Sequence, residues 1–508
     1  MDSTLPLFYR RKSKRLKKTD ACSLEDNISN LPRPLLLQIL SLLPMKEAVR
    51  TSILSSKWRQ LWFDLPNLDF ELRSNPYHPK PIVNDFMDCI ESALSHHDGT
   101  NIERFSLSCF EFCDFSRVYA WICTVLTCNL RELHIMLSIP SYGQLPYGLL
   151  TCKTLGVLKL AGRFVLNIPT NVCLRSLKVL HLRSVIYWDD KSVQKLLAGC
   201  PILEELEIIR FDWDNVLTFV ICVPTLKRLQ LSFHSNERGW DYNVGHHHKL
   251  WIYAPSLEYF KLHDHLSDCW LFKKFPHLIE AEVDVKRPAN SELPRGFHEQ
   301  TALRILDSIS AARCLSLSTR TLTLLGNSLF VNLPDLGNLV TLKLGVDHSH
   351  GWIILPSLLE KSPKLEVLIF EEVIFLSTCE KMNIEGKAKR FQLNSPNSDA
   401  LFLSFLQGLV RIKDPNANAP RFISMPNRVP NCLRSRLKTV EILQLVGTVS
   451  ERRLVRYFLK NAAVLEQMTI RCHCNNVIWD IREGLLKFEK VLRNYTRASK
   501  CCLVKFIV

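Results

Sequence analysis

Glycine is scarce in this chain, 17 of 508 residues, roughly half of what average usage of about 7% would supply. Phosphate-cradling loops need glycine where the backbone must approach a ligand. Neither G-x-x-x-x-G-K-[ST] nor G-x-G-x-x-G occurs anywhere in the sequence. No C-x-x-C pair is present, which removes the usual framework of a RING or zinc-ribbon site. No G-x-S-x-G elbow and no H-E-x-x-H helix appears, and His298-Glu299 runs on into Gln-Thr-Ala and fails the second motif. Long apolar runs are also missing. Val216 to Val223 is typical of the longest, far short of the ~20 residues a bilayer requires, so no membrane partner is expected. The opening MDSTLPLFYRRKSKR lacks an apolar h-region, so no secretory signal is expected.

What is present is ordinary for a globular chain: 47% hydrophobic and 23% charged residues, in a length with room for roughly three domains. Eighteen cysteines in a chain read as unsecreted are expected to stay reduced. Most of them (Cys173, Cys200, Cys222 and Cys314 among them) lie in apolar runs, where a free thiol packs as a small hydrophobe. The net charge of +15 is concentrated at one end. Arg10, Arg11, Lys12, Lys14, Arg15, Lys17 and Lys18 contain no acid among them, and without them about +8 remains. Such a cluster reads as a nuclear-import signal, as a nucleic-acid arm, or as a solvated tail.

After this basic, disordered tail (residues 1–27) the character changes. Leu36, Ile39, Leu40 and Leu43 fall at i, i+3, i+4 and i+7, one apolar helix face. Pro32 and Pro34 suit a first helical turn and Pro44 ends the run. Ala48, Val49 and Ile53 continue a helical pattern, and Trp58, Leu61 and Trp62 form a third cluster. Three short helices in about 40 residues carry more apolar surface than they can hide among themselves, and a helical partner is the natural remedy. The ordered set Ile28, Leu31-Pro32, Leu36, Ile39-Leu40, Leu43-Pro44, Val49, Leu54-Ser55, Trp58-Arg59 and Leu61-Trp62 resembles a plant F-box over residues 28–70. Arg33 stands where an acidic residue is common, and Ser56-Lys57 replaces the more usual basic pair.

From residue 101 to 375 an L-x-x-L-x-L pattern recurs. It starts at Ile102, Leu130, Leu155, Leu177, Leu203, Leu226, Leu257, Leu278, Ala312, Leu339 and Leu365, at spacings centred near the 20–29 residues of leucine-rich repeats. In such a repeat each pattern is one short strand, and stacked strands share a continuous core. The residue between the last two apolar positions must then face the opposite side. Those residues are Ser106, His134, Lys159, His181, Glu207, Gln230, Lys261, Glu282, Ser316, Lys343 and Ile369, and all but Ile369 are polar. The asparagine that follows the strand in regular repeats is absent, so an irregular solenoid is expected. A polar, proline-bearing insertion or linker (381–428) follows. The strand pattern then resumes at Val440 and Leu465, with a helix between them built on Leu454, Val455, Phe458, Leu459 and Ala462. Residues 429–508 resemble the FBD domain of plant F-box proteins through Val429-Pro430, Cys432-Leu433, Leu459-Lys460-Asn461-Ala462, Val464-Leu465-Glu466 and Arg497-Ala498-Ser499.

The fold expected is therefore α/β: an N-terminal three-helix F-box, an irregular leucine-rich-repeat solenoid with a strand plus helix or loop per repeat, and a C-terminal FBD-like α/β cap. The resemblance implies a non-catalytic receptor subunit of an SCF-type ubiquitin ligase, in the nucleus or cytoplasm, without cofactor or metal. Its F-box would dock a Skp-type adaptor and, through it, a cullin–RING core, while the repeats capture a target protein. Leu31, Pro32, Leu36, Ile39, Leu40, Leu43, Pro44, Val49, Leu54 and Trp58 are the expected adaptor contacts. Trp58 and Trp62 either anchor that interface or close the F-box core onto the first repeat. The polar strand face, Lys159, His181, Glu207, Gln230, Lys261 and Lys343, is the expected target surface. Histidines 246–248 with His263 and His265, and Cys472-His473-Cys474 with Cys501-Cys502, lack the usual ligand spacings and read as loop and packed-thiol residues. The other reading is a nuclear scaffold or nucleic-acid-associated binder that uses the basic arm and the solenoid without ubiquitin chemistry.

Overall fold

The structure, a computed structural model, describes residues 28–72, 80–97, 102–138, 142–210, 216–233, 249–265, 268–271, 274–287, 294, 296–326, 332–345, 354–371, 428–445, 449–472 and 488–507. The basic cluster Arg10–Lys18, the histidine run 246–248 and nearly all of the insertion 381–428 lie outside them. The chain divides into two compact units, Met1–Leu229 and Gln230–Val508.

The first unit opens with helices Arg33–Ser41 and Met45–Arg50, each with a proline, Pro32 or Pro44, at the N-cap position. Proline costs nothing there because the first turn's N–H groups lack intrahelical partners in any case. The third element differs from expectation. Trp58, Leu61 and Trp62 sit in a turn and a 3-10 segment, Leu61–Asp64, not in an α-helix. Pro66 explains the difference: it forces Leu65 out of the helical region (φ −70°, ψ 131°), and the chain leaves directly into the strand Asn67–Leu72.

That strand begins a parallel ladder. Asn67–Leu72, Arg104–Phe112, Glu132–Ser138, Val157–Ala161, Val179–Arg183 and Glu205–Arg210 are neighbours in sequence order. One face of each strand is buried: Phe105 with Leu107, Leu133 with Ile135, Leu158 with Leu160, Leu180 with Leu182, Leu206 with Ile208. On the other face, Asp69, Ser106, His134, Lys159, His181 and Glu207 stand directly opposite one another along the register. The first strand was hidden at the end of the F-box, where Leu65-x-x-Leu68-x-Phe70 is the same repeat pattern; all three apolar residues are buried. Helices Lys80–His96, Phe115–Leu126 and Ser192–Ala198 and the 3-10 segment Tyr147–Thr151 connect the strands. Hydroxyls just ahead of the strands bond back to the preceding repeat: Thr154 donates to the Leu130 carbonyl at 2.7 Å, Ser176 to Lys153 at 2.6 Å and Thr225 to Leu203 at 2.7 Å, satisfying carbonyls at the strand entrances.

Strand Arg228–Phe233 lies at the division between the units. In the second unit, Tyr259–His265, Glu280–Lys286, Cys314–Leu317, Thr341–Gly345, Val367–Glu371, Thr439–Leu445, Gln467–Cys472 and Leu503–Ile507 form a parallel ladder in that order. Val367–Glu371 pairs with Thr439–Leu445 although the 372–427 stretch separates them in sequence, so the sheet passes from repeats to FBD-like segment without a break. The backbone repeats the same step at each strand entrance: Glu366 donates to the Val340 carbonyl, Lys438 to Glu366 and Glu466 to Lys438, at 2.8–2.9 Å. Helices Phe297–Ser308, Thr319–Gly326, Leu355–Lys361, Asn431–Ser435 and Val449–Asn461 and a separate parallel pair, Lys249–Tyr253 with Asp268–Leu271, belong to the same unit.

Candidate functional site

The F-box segment sorts its apolar residues into two sets. Leu36 (3% exposed), Leu40 (0%), Trp58 (3%), Leu61 and Trp62 are buried. Trp58 donates its indole N–H to Ser29 Oγ at 2.8 Å, and Lys57 reaches the Ser29 carbonyl at 3.1 Å. Trp62 packs on Phe63, which stacks on His96 of the next helix. Both tryptophans are buried, and Leu36, Leu40 and Trp58, expected as adaptor contacts, keep almost no surface of their own in this chain. Arg33, the departure from the usual pattern, pairs with Asp64 and pins the start of the first helix to the 3-10 segment.

The second set faces solvent. Ile28, Leu35, Ile39, Leu42 (81% exposed), Leu43, Ile53 (77%) and Leu54 (63%) are seven of the nineteen exposed large hydrophobics among the described residues. Ile39, Leu43 and Leu54 were expected at the adaptor surface; Pro32 and Pro44 are exposed beside them, and Leu31 and Val49 are half-buried. Leu35, Leu42 and Ile53 were not expected. The signal for the first two was a second stripe, Leu35, Ile39 and Leu42 at i, i+4 and i+7, running beside Leu36 and Leu40.

The outer strand face of the first unit is largely paired with itself. His181 Nε2 meets Glu205 Oε1 at 2.7 Å, and Arg183 grips both carboxylate oxygens of Glu207, through Nε and through Nη2 at 3.0 Å. Lys178 and Lys227 flank Glu204 at 3.4 and 3.0 Å. His181 and Glu207 are buried, so of the expected target residues here Lys159 keeps the greater share of free surface. Burial, together with the charges of Lys159 and Arg104, pushes the His134 imidazole down to about 4, holding it neutral. In the second unit Lys261 pairs with Glu282 at 2.8 Å, and Tyr259 donates to the same carboxylate at 3.0 Å. Lys343 stands between Ser316 and Ile369 in the register, and Gln230 is half-buried in its strand. Asp284 is fully buried and held by Arg320 and by Ser318, with His263 at 3.5 Å. His263 is therefore part of an ion-paired cluster, while the side chains of His265 and Cys472 lie outside the described residues, as do His473 and Cys474. Among the described residues no group of three or more His, Cys, Asp or Glu side chains is arranged to hold a metal ion, and no helix is long and apolar enough to cross a membrane.

Comparison with known proteins accords with this arrangement. The F-box domain family matches residues 28–70, the LRR repeats of FBD-associated F-box protein At5g56370 match 118–270, and the FBD family matches 425–470. Among solved structures, the TLR13 chain of a TLR13–ssRNA13 complex aligns over 82% of this chain and 62% of its own, at 13% identity and a TM-score of 0.31, too low to carry an argument. F-box/FBD/LRR-repeat protein At4g00160 of Arabidopsis thaliana is 30% identical over 490 residues, 95% of this chain and 94% of the relative. F-box/FBD/LRR-repeat protein At4g26340 of the same plant is 31% identical over 444 residues, 87% of this chain and 91% of the relative. With that identity over nearly the full length of both chains, and all three domain types matched in order, the chain belongs to the plant F-box/FBD/LRR-repeat protein family.

Proposed function

We propose that this chain is the target-recognition subunit of an SCF-type ubiquitin ligase, with the F-box seated on a Skp-type adaptor and the strand ladders presenting a target protein. The observation that carries the reading is the exposed set Leu35, Ile39, Leu42, Leu43, Ile53 and Leu54 on a helical segment whose own core is already filled. Exposed apolar residues in that number on one short segment are costly in water, and a helical partner removes the cost. The chain itself supplies no chemistry in this reading. Its contribution is proximity: it raises the effective concentration of a target lysine near a thioester carried by another subunit of the complex.

The test is a pull-down of the full chain with purified Skp adaptor, wild type against Leu42→Asp/Leu54→Asp. Both leucines are exposed, so the double variant keeps its fold by circular dichroism and loses adaptor binding. Retained binding by that variant overturns the docking surface. A wild type that does not bind overturns the ligase reading and leaves the scaffold reading, which deletion of Arg10–Lys18 and salt-dependent retention on DNA or RNA then examine.

A further inference from the structure

Strand Arg104–Phe112 ends on two thiols. Cys109 is opposite Leu137, after which the register shifts and Phe112 takes the next pairing with Ser138. Cys113 follows at once and precedes Asp114, whose carboxylate accepts from the Ser116 N–H and caps helix Phe115–Leu126. The chain turns from strand to helix within these few residues, and the corner drives both side chains inward: Cys109 is fully buried and Cys113 nearly so. Their sulfurs are 2.7 Å apart, the Cys113 thiol donating to Cys109. That is within about 1 Å of the ~2.05 Å disulfide bond length.

Other buried cysteines of this chain are placed differently. Cys200 donates to the Leu196 carbonyl and Cys432 to the Leu359 carbonyl, and burial pushes them up to about 12 and about 11. At Cys109 the hydrogen bond from Cys113 outweighs burial and lowers the thiol's pKa; the same contact raises that of Cys113. With the sulfurs in contact and Cys113 as the donor, the pair is arranged for Cys109 to attack and Cys113 to resolve.

We infer that Cys109 and Cys113 form a reversible dithiol–disulfide site, oxidised by a hydroperoxide and closed across the strand-to-helix corner. The Cys109 thiolate attacks one peroxide oxygen. The O–O bond breaks, the departing oxygen takes up a proton as water or an alcohol, and Cys109 becomes a sulfenic acid. The Cys113 sulfur then attacks the Cys109 sulfur, and the sulfenic hydroxyl leaves as water with the Cys113 proton. In sum two thiols lose two electrons and two protons, and one hydroperoxide is reduced to two molecules of water, or to water and an alcohol. A dithiol reductant reverses the bond by exchange. Access requires local opening at the end of strand Arg104–Phe112, where Cys109 is the last pair before the register shift. The site is independent of adaptor docking, since none of the exposed F-box residues takes part.

Trypsin isolates the site, because the peptide between Arg104 and Arg117 holds Cys109 and Cys113 and no other cysteine. The reduced full chain is treated with hydrogen peroxide, alkylated after denaturation, digested and weighed. The peptide is expected to lose both alkylation sites and to appear two hydrogen atoms lighter, a change undone by dithiothreitol. In Cys113→Ser, dimedone added with the peroxide is expected to label Cys109; in Cys109→Ser it leaves Cys113 unlabelled. A peptide still alkylated at both positions once the exposed Cys222 and Cys501 have been oxidised overturns the site. Dimedone labelling of Cys113 in Cys109→Ser, with Cys109 unlabelled in Cys113→Ser, overturns the roles. The wild-type measurement stands even if a serine variant fails to fold.

Discussion

The F-box segment and the first strand ladder draw on the same apolar residues, leucine above all, and dispose of them in opposite ways. In the ladder, each strand's inward pair lies against the pair of the strand before and the strand after, so Leu133, Leu158, Leu180 and Leu206 are all at or below 1% exposure. Every repeat takes its cover from its own chain. Among the described residues, the F-box has chain only on its C-terminal side. Its inner set, Leu36, Leu40 and Trp58, is covered, and its outer set, Leu42, Ile53 and Leu54, is left in water. In the proposed function, this second apolar face is the one a Skp-type adaptor covers.

The sharpest way to break that comparison is a charge on each side of the first helix. Leu40→Asp buries a carboxylate with no partner and is expected to cost about 4 kcal/mol or more, read as lost near-ultraviolet dichroism from Trp58 and Trp62 and an early urea transition. Leu42→Asp stays within about 0.5 kcal/mol of wild type. Equal costs for the two would show that the inner and outer sets are misassigned. In the ladder, Glu207→Ala strands the Arg183 guanidinium beside a buried position and is expected to cost about 3 kcal/mol, while Lys178→Ala at the exposed pair with Glu204 costs under 1 kcal/mol. Urea midpoints at neutral pH separate the two cases.

Acid sharpens the contrast further, because His134 belongs to the ladder and has no counterpart among the described F-box residues. Its imidazole is held at about 4 in the fold against 6.5 in the open chain, so between those values the unfolded chain binds the extra proton. Stability is therefore intact above pH 6.5 and falls as pH drops toward 4, by up to about 3 kcal/mol. His134→Gln is expected to flatten that dependence when unfolding is followed from pH 7 to pH 4.5. A smaller effect is expected of Ser29→Ala, which removes the acceptor of the Trp58 indole N–H and costs about 1 kcal/mol, measured as a shift of the F-box transition with the ladder's transition unchanged.

Much of the ladder was legible in advance. All eleven expected repeat starts, from Ile102 to Leu365, are buried at 2% exposure or less, since a period-two pattern preceded by a turn is a local property of the chain. The strand Asn67–Leu72 is hidden in the sequence because its pattern overlaps the end of the F-box, and the third helix expected there does not form because Pro66 turns the chain out of the helical region at Leu65. The outer face was legible as a polar row and illegible as a network. Arg183 and Glu207 are 24 residues apart in sequence, and the same spacing separates His181 from Glu205; no local pattern announces which of these residues a neighbour will claim.

The sequence by itself determined where strands form, which of their residues point inward, and the order of F-box, repeats and FBD-like end, because each depends on residues within a few positions of one another. Only the tertiary structure decided which stripe of the first helix is core and which is free. That choice turns on Trp58 reaching Ser29 across 29 residues and on Arg33 reaching Asp64 across 31. A helix with apolar residues on two adjacent faces satisfies its local periodicity either way, and the packing of distant side chains selects one.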